Sequence, residues 1–387
     1  MQRRVYLDWN ATTPPLAGVV EAMAEAAREA WGNPASVHAF GRTARRRVEE
    51  AREAVAALVR CDPRDITLTS GGTEANNLAL RSAFAREGGV LVTSHLEHPS
   101  VTRVAGALEA EGRARIRWVR VRPDGSLDLE DFERALSEGN VRLVAMQAVN
   151  SETGVVQPVH DMLAMARRAS VRVHVDAVQA FGRSDEIAGG ADTRSLAGHK
   201  MRGPKSIGAL ISRPGVVIEP VLLGGSQEGG LRPGTVDPVG AAGLAAAARH
   251  ALSSPDRWRA LAPLKARLEE GLLRLVQGAS VNGSAALRAP HVTSVAFPGW
   301  GSAELVAAFD LEGIAVSGGS ACSAGTAEPS SALEAMGDVQ AASSSVRFSL
   351  GEDTTPGDVH VALEAAARVF VRLSSPSRLA PEPNHRH

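Results

Sequence analysis

The chain has 387 residues, 44% of them hydrophobic and 22% charged, with a formal net charge of −1. This is the composition of a soluble globular protein, and the length calls for two domains or one large domain with an appendage. Balanced charge excludes a global field for nucleic acid or an anionic membrane, so neither direct nucleic-acid binding nor membrane association is expected. The basic runs Arg45-Arg46-Arg47 and Arg115 to Arg122 fit solvated faces of a helix and a strand. No apolar run is long enough to cross a bilayer, and Met1-Gln2-Arg3-Arg4 leads into Val5-Tyr6-Leu7-Asp8 without a signal-type stretch. A cytoplasmic protein is expected. Cys61 and Cys322 are too few for a disulfide framework, and a reducing compartment leaves both as thiols.

Taken in order, Val5 to Asp8 predicts a short strand that breaks into a polar turn. Pro14-Pro15 then opens a helix to about Ala30. After the Gly32-Asn33-Pro34-Ala35-Ser36 loop, a helix over about Val37 to Val59 puts Ala44, Val48, Ala51, Val55 and Leu58 on one face. Cys61, at the end of this apolar stretch, reads as structural. From Ile66 onward short apolar strands alternate with amphipathic helices, which predicts an α/β fold with a mainly parallel sheet covered on both sides. Strands are expected near 66–69, 90–93, 115–119, 141–147, 171–175, 192–196 and 207–211, and helices near 73–86, 99–110, 127–137 and 159–169. Ligands of such sheets sit at the carboxyl ends of the strands. The loops there are Ser70 to Thr73, Ser94 to Pro99, Val149 to Gly154 and Asp176 to Gln179.

An Ala-rich helix over about Val239 to Leu252 ends at Ser253-Ser254-Pro255, the expected domain boundary. One long helix to about Gln277 should follow, then strands near 292–297 and 346–350 and helices near 302–311 and 357–371. The division expected is a large domain over 15–254 and a smaller α+β domain from 1–14 with 255–373. The Pro- and Ser-rich tail, 374–387, is expected to be disordered.

Lysine is rare: Lys200, Lys205 and Lys265 stand among 42 basic residues. A chain that writes arginine wherever it needs only charge has kept an amine in Gly198-His199-Lys200. A lysine can form an imine and an arginine cannot, so Lys200 reads either as a Schiff-base lysine or as an ordinary surface residue. Ser70-Gly71-Gly72-Thr73 follows a strand and opens a helix, which suits a phosphate cradle without Walker spacing, or a plain cap at Thr73. Asp176 closes an apolar strand and reads as a metal ligand, a cap or the partner of a pyridinium nitrogen. In this order, cradle, acid and lone lysine match the needs of pyridoxal phosphate.

At this point the sequence resembles the cysteine desulfurases of class V aminotransferase descent, within the fold type I pyridoxal-phosphate enzymes. The resemblance rests on Leu68-Thr69-Ser70-Gly71-Gly72-Thr73-Glu74-Ala75-Asn76-Asn77, Glu97-His98-Pro99, Glu152-Thr153-Gly154-Val155-Val156-Gln157-Pro158, His174-Val175-Asp176-Ala177-Val178-Gln179, Gly198-His199-Lys200 and Ser317-Gly318-Gly319-Ser320-Ala321-Cys322-Ser323-Ala324-Gly325. The last matches the subgroup with a long catalytic-cysteine loop, associated with iron–sulfur cluster assembly.

The resemblance implies pyridoxal 5′-phosphate as cofactor, no metal, L-cysteine as substrate and a homodimer that passes sulfur to an acceptor protein. It implies that Lys200 tethers the cofactor and moves protons, Asp176 holds the pyridinium proton and Gln179 bonds the ring hydroxyl. His98 would stack on the ring face and serve as a catalytic acid–base group. Gly72, Thr73 and His199 would grip the phosphate, with Thr235 reaching in from the second subunit. Asn150 and Ser151 would lie against the cofactor, while Asn10 and Arg347 would bind substrate. Cys322, among glycines and serines, would be the nucleophile that takes the sulfur as a persulfide. Relatives acting on selenocysteine or cysteine sulfinate, and a degenerate scaffold without turnover, are the alternatives.

Two positions depart from the family pattern. Ser151 stands where the family usually has asparagine, and Ala197 where it usually has a phosphate-binding serine. Losing one donor to a phosphate costs about 1.5 to 3 kcal/mol if nothing replaces it.

Overall fold

The structure, a computed structural model, describes residues 4–184, 189–253, 256–319 and 329–374. The main sheet is formed by β2 (Ile66–Thr69), β3 (Gly89–Thr93), β4 (Ala114–Trp118), β5 (Val141–Gln147), β6 (Arg172–Asp176), β7 (Thr193–Ala197) and β8 (Gly208–Ser212). Their order across the sheet is β2-β8-β7-β6-β5-β3-β4. β8 runs antiparallel to both neighbours, and the β7-β6-β5-β3-β4 pairs are parallel. Strands buried on both faces read as continuous apolar runs, and β8 and most of β3 and β5 do so, while β2 is buried throughout with Thr67 and Thr69 alternating with Ile66 and Leu68.

The strand and helix positions agree with the expectation to within about three residues, as hydrogen-bond criteria allow. The covering helices include α3 (Gly72–Ala83), α4 (Pro99–Ala110), α5 (Leu129–Ser137) and α6 (Val159–Arg168). α1 (Ala17–Glu29), α2 (Ala39–Val59) and α7 (Pro238–Ser253) pack together, and Ala26, Ala44 and Ala242 give the close contact that small side chains permit. Cys61 is a half-buried free thiol whose affinity for its proton burial raises to about 11, as an inert structural cysteine requires.

The long helix expected after 255 is two: Asp256–Arg259 and Ala262–Leu275. Pro263 lies in the first turn of the second, where its missing N–H costs nothing but where a continuous helix would break. The short β1 (Val5–Tyr6) pairs in parallel with β11 (Ile314–Ala315), and β10 (Val292–Ala296) lies between β9 (Ser280–Val281) and β12 (Ser345–Ser349). A separate apolar cluster joins Leu7 and Trp9 to Trp258, Phe309, Phe348 and Phe370. The N-terminal strand is thus built into the C-terminal part of the chain.

Gly351 lies against Trp9 so closely that a Cβ there would fall 1.8 to 2.1 Å from the indole carbons. Gly351→Ala therefore forces Trp9 out of its place between Tyr6 and Trp258. A loss of about 1–3 kcal/mol is expected, read as a lower denaturation midpoint in urea with Trp fluorescence as the probe.

Candidate active site

One cavity of about 250 Å³ opens where β5, β6 and β7 end and α3 and α4 begin, and the N-terminal segment and β12 close its far side. Asn10, Gly72, Thr73, His98, Ser151, Asp176, Gln179, His199, Lys200 and Arg347 all line it. Of the expected residues, Asn150 lies beneath the wall rather than on it. Its Oδ1 accepts from the amides of Glu152 and Thr153 and from the Thr153 hydroxyl, and its Nδ2 donates to the Leu96 carbonyl. The side chain builds the turn that presents Ser151. Thr235 is exposed and does not reach this cavity. Cys322 lies outside the described residues.

Each wall residue is placed by local rules. Gly71, at φ 148°, turns the chain from β2 into α3, so the first amides of α3 face the cavity beside Gly72 and Thr73. A Cβ at Gly72 would lie 2.5 Å from Val178 Cγ2, so glycine lets this backbone sit against the turn after β6, with Ala197 Cβ at the end of β7 in ordinary contact at 3.8 Å. His98 caps α4: its Nδ1 accepts from the Ser100 amide at 3.1 Å, and Pro99 occupies the first helical position. Burial holds His98 below the ordinary histidine range.

Asp176 ends β6, in register with Gln147 on β5 and Ser195 on β7. It accepts from Asn76 Nδ2 at 2.7 Å, the Val178 amide at 3.0 Å and Ser195 Oγ at 3.3 Å. All are donors, as an acceptor-only carboxylate requires. Lys200 Nζ donates to the carbonyls of Asn10 at 2.5 Å and Ala11 at 2.8 Å. His199 meets the Thr12 hydroxyl at 3.1 Å, and burial next to Lys200 pushes it down to about 4, so it is neutral. Arg347 donates through Nη2 to Asp8 at 2.7 Å and through Nη1 to the carbonyls of Ser151 and Gly319, while its buried Nε has no partner among the described residues.

Three contributors were given no role in the sequence reading, although two of them, Asn76 and Glu97, lie in its motifs. Arg183, 3% exposed, ties the Lys200 carbonyl to the side chains of Asn10 and Gln179. Glu97 accepts from Ser94 Oγ at 3.0 Å and is pushed up to about 8 by burial and then by Asp176, so it holds a proton at neutral pH. Asn76 bonds Asp176, Ser100 and His174. Its signal was an amide on the apolar stripe of a helix, in phase with Gly72 and Ala79, where asparagine is disfavoured without a partner.

The model of the family described as aminotransferase class V matches residues 5–361. "Cysteine desulfurase IscS" of Dictyoglomus turgidum is 35% identical over 382 residues, covering 96% of each chain. The chain belongs to the class V aminotransferase family, in its cysteine desulfurase branch. Among solved structures, a "NifS-like protein" superposes with a TM-score of 0.88 at 32% identity, over 96% of this chain and all of the other. "SspA in complex with cysteine" gives 0.78 at 31% identity over 89% of this chain and 98% of its own. The chain thus shares its overall fold with these solved structures over nearly its whole length.

His174, wholly buried behind Asp176, is pushed down to about 4 by desolvation, against a raising effect of the nearby Asp176. A group whose folded value lies below its unfolded one contributes stability that is complete above about 6.5 and lost as pH falls toward about 4. Glu97 and Glu152, held above their ordinary values by burial, act with the opposite sign. His174→Gln should therefore flatten the fall in stability between these limits by up to about 1.4 kcal/mol per pH unit, measured by urea titration from pH 7 to 4.5.

Proposed function

We propose that the chain is a pyridoxal-phosphate-dependent cysteine desulfurase that converts L-cysteine to L-alanine and keeps the sulfur as a persulfide on Cys322. The observation that carries this is the convergence of Lys200, Asp176, His98 and the Gly72 cradle on one cavity. The residues suit that cofactor: three donors on Asp176 leave it an acceptor for a pyridinium N–H, and the Gly72 backbone has no room for a side chain. When bound, pyridoxal phosphate supplies an electron sink for charge developing at the substrate α-carbon.

The chain's own residues do the rest. Asp176 holds the proton on the ring nitrogen, and Gln179 Nε2, which spends one hydrogen on the Asn10 carbonyl, offers the other to the ring hydroxyl. The amides of Gly72 and Thr73, with neutral His199, grip the phosphate. Arg347 takes the substrate carboxylate, which would satisfy the orphan Nε at a site where an unmet buried donor costs about 1–3 kcal/mol. Lys200 tethers the cofactor and moves the proton at the α-carbon. The Cys322 thiolate attacks the substrate sulfur; an S–S bond forms, the carbon–sulfur bond breaks, and protonation of the carbon gives alanine. A reducing, cytoplasmic compartment suits a working thiol in a chain with two cysteines.

The active unit is a homodimer in which Thr235 completes the partner's phosphate grip. The exposed apolar side chains of Val217, Leu222 and Leu223, ahead of Thr235, support it, since such a patch calls for a cover. Residues 15–254 form the cofactor domain and 1–14 with 255–373 the smaller one, a division supported by the apolar cluster that gathers Val5, Leu7 and Trp9 with Trp258, Phe309, Phe348 and Phe370, while Ala289, Val292, Leu333 and Met336 pack on the main cluster. The sulfur acceptor is a cluster scaffold or a thiolation partner.

Purified protein should absorb in the visible and release alanine from L-cysteine. Cys322→Ser should keep the absorbance and lose sulfur transfer from cysteine, and Lys200→Ala should lose turnover. A serine variant as fast as the parent on cysteine overturns the persulfide step. Ala197→Ser restores a hydroxyl beside Gly72 and should slow cofactor loss about tenfold, followed by fluorescence of the released cofactor.

A further inference from the structure

Asn76 lies on α3 with 1% of its surface exposed, and both its Nδ2 hydrogens and its Oδ1 are engaged inside the protein. Nδ2 donates to Asp176 Oδ2 at 2.7 Å and to Ser100 Oγ at 2.8 Å, and Oδ1 meets His174 Nε2 at 2.9 Å. His174 Nδ1 in turn meets the Thr193 hydroxyl at 2.9 Å, and Ser100 Oγ meets His98 Nδ1 at 2.8 Å. One amide therefore joins the acid at the end of β6 to the histidine that caps α4.

Proton positions along this chain follow from one constraint. A carboxylate only accepts, so Asn76 must turn its NH₂ toward Asp176, which leaves Oδ1 toward His174. His174 must then carry its hydrogen on Nε2. Being neutral, it leaves Nδ1 bare to accept from Thr193. On the other side Ser100 Oγ receives an Asn76 hydrogen and passes its own to His98 Nδ1, which the Ser100 amide also approaches at 3.1 Å. Two donors aimed at Nδ1 put the hydrogen of neutral His98 on Nε2, and they oppose protonation of the ring.

We propose that Asn76 is a positioning residue that sets the hydrogen-bond polarity of both Asp176 and His98, fixing Asp176 as an acceptor and His98 as a neutral ring protonated on Nε2. In the cavity His98 thus acts as a hydrogen-bond donor. The assignment deepens the proposed function, since it rests on Asp176 and His98 serving the bound cofactor.

The test has one arm that needs no cofactor. In apoprotein labelled with ¹⁵N-histidine, with His98 assigned by the loss of its signal in His98→Gln, Nδ1 should show the unprotonated shift and Nε2 the protonated one. That pattern should persist below the ordinary histidine range. Asn76→Asp, nearly the same shape, turns donors into acceptors. It should draw the Ser100 hydroxyl away, populate the other His98 forms and speed release of pyridoxal phosphate about tenfold. Ser100→Ala cuts only the branch to His98. It should move the His98 titration and leave cofactor release within about twofold of the parent, a difference too small to reflect a lost bond.

A parent His98 protonated on Nδ1 overturns the proposal, as does an Asn76→Asp protein that matches the parent in both the His98 spectrum and cofactor release. Should Asn76→Asp not fold, Asn76→Ser with the parent spectrum decides. A parent that binds no pyridoxal phosphate yet shows the expected His98 spectrum defeats the cofactor reading alone.

Discussion

The site depends on one buried guanidinium. Arg183 has five N–H groups, and each has an oxygen to meet: the Lys200 carbonyl from Nε and Nη2, Trp9 O from Nη2, and Asn10 Oδ1 and Gln179 Oε1 from Nη1. None of these acceptors is charged, and the guanidinium also lies over the Trp258 ring at 4.6 Å. Burial lowers its pKa to about 9, so it keeps its charge at neutral pH. A buried cation is tolerable only when every donor is met, and meeting them draws the lysine turn, the N-terminal segment and the turn after β6 to one point. These are the segments that carry Lys200, Asn10 and Gln179.

That junction explains the placing of the N-terminus. Asn10 is held from three sides, by Arg183, by the Ser151 carbonyl that its own Nδ2 meets, and by the Ser349 hydroxyl on its amide. Thr13 grips the His199 carbonyl through both its amide and its hydroxyl. Arg202, two residues past the lysine, pairs with Asp353 and lies over Trp9. The lysine turn is therefore fixed by contacts on both sides of Lys200 to segments from the two ends of the chain. The cavity between them is a consequence of this bracing, because its far wall is the braced segment itself.

Much of this was legible in the sequence, for a physical reason. Period and composition mark strands buried on both faces, and glycine, proline and cap residues mark their ends, so the positions of β2 to β8 and α3 to α6 follow from local rules. Asp176, Gly72 and Lys200 stood out because each ends or follows such an element. Arg183, Asn76 and Glu97 did not, since their roles depend on partners distant in sequence; Asn76 and Asp176 are 100 residues apart, and Arg183 and Asn10 are 173. Asn150 was expected against the cofactor because a polar residue before such a turn looks the same whether it faces the cavity or builds the turn. The helix after 255 was read as continuous because its apolar stripe runs through Pro263, and only backbone geometry breaks it.

The contrast between Arg183 and Lys200 gives the scarcity of lysine a meaning. A planar fork with five fixed donors can fasten four residues at once and stays charged when buried, which suits arginine to the bracing. An amine on a flexible stem fastens less, as the two carbonyls on Lys200 Nζ indicate, but it can be deprotonated and can form a bond to carbon. Lys265, the buried exception, donates to the Ala289 carbonyl beside the Arg288–Glu269 pair and takes no part in the cavity. Replacing charge-bearing lysines by arginine elsewhere leaves the cavity with one amine, and Arg183 holds the backbone of that same residue. The chain thus places the cation that cannot react directly behind the one that can.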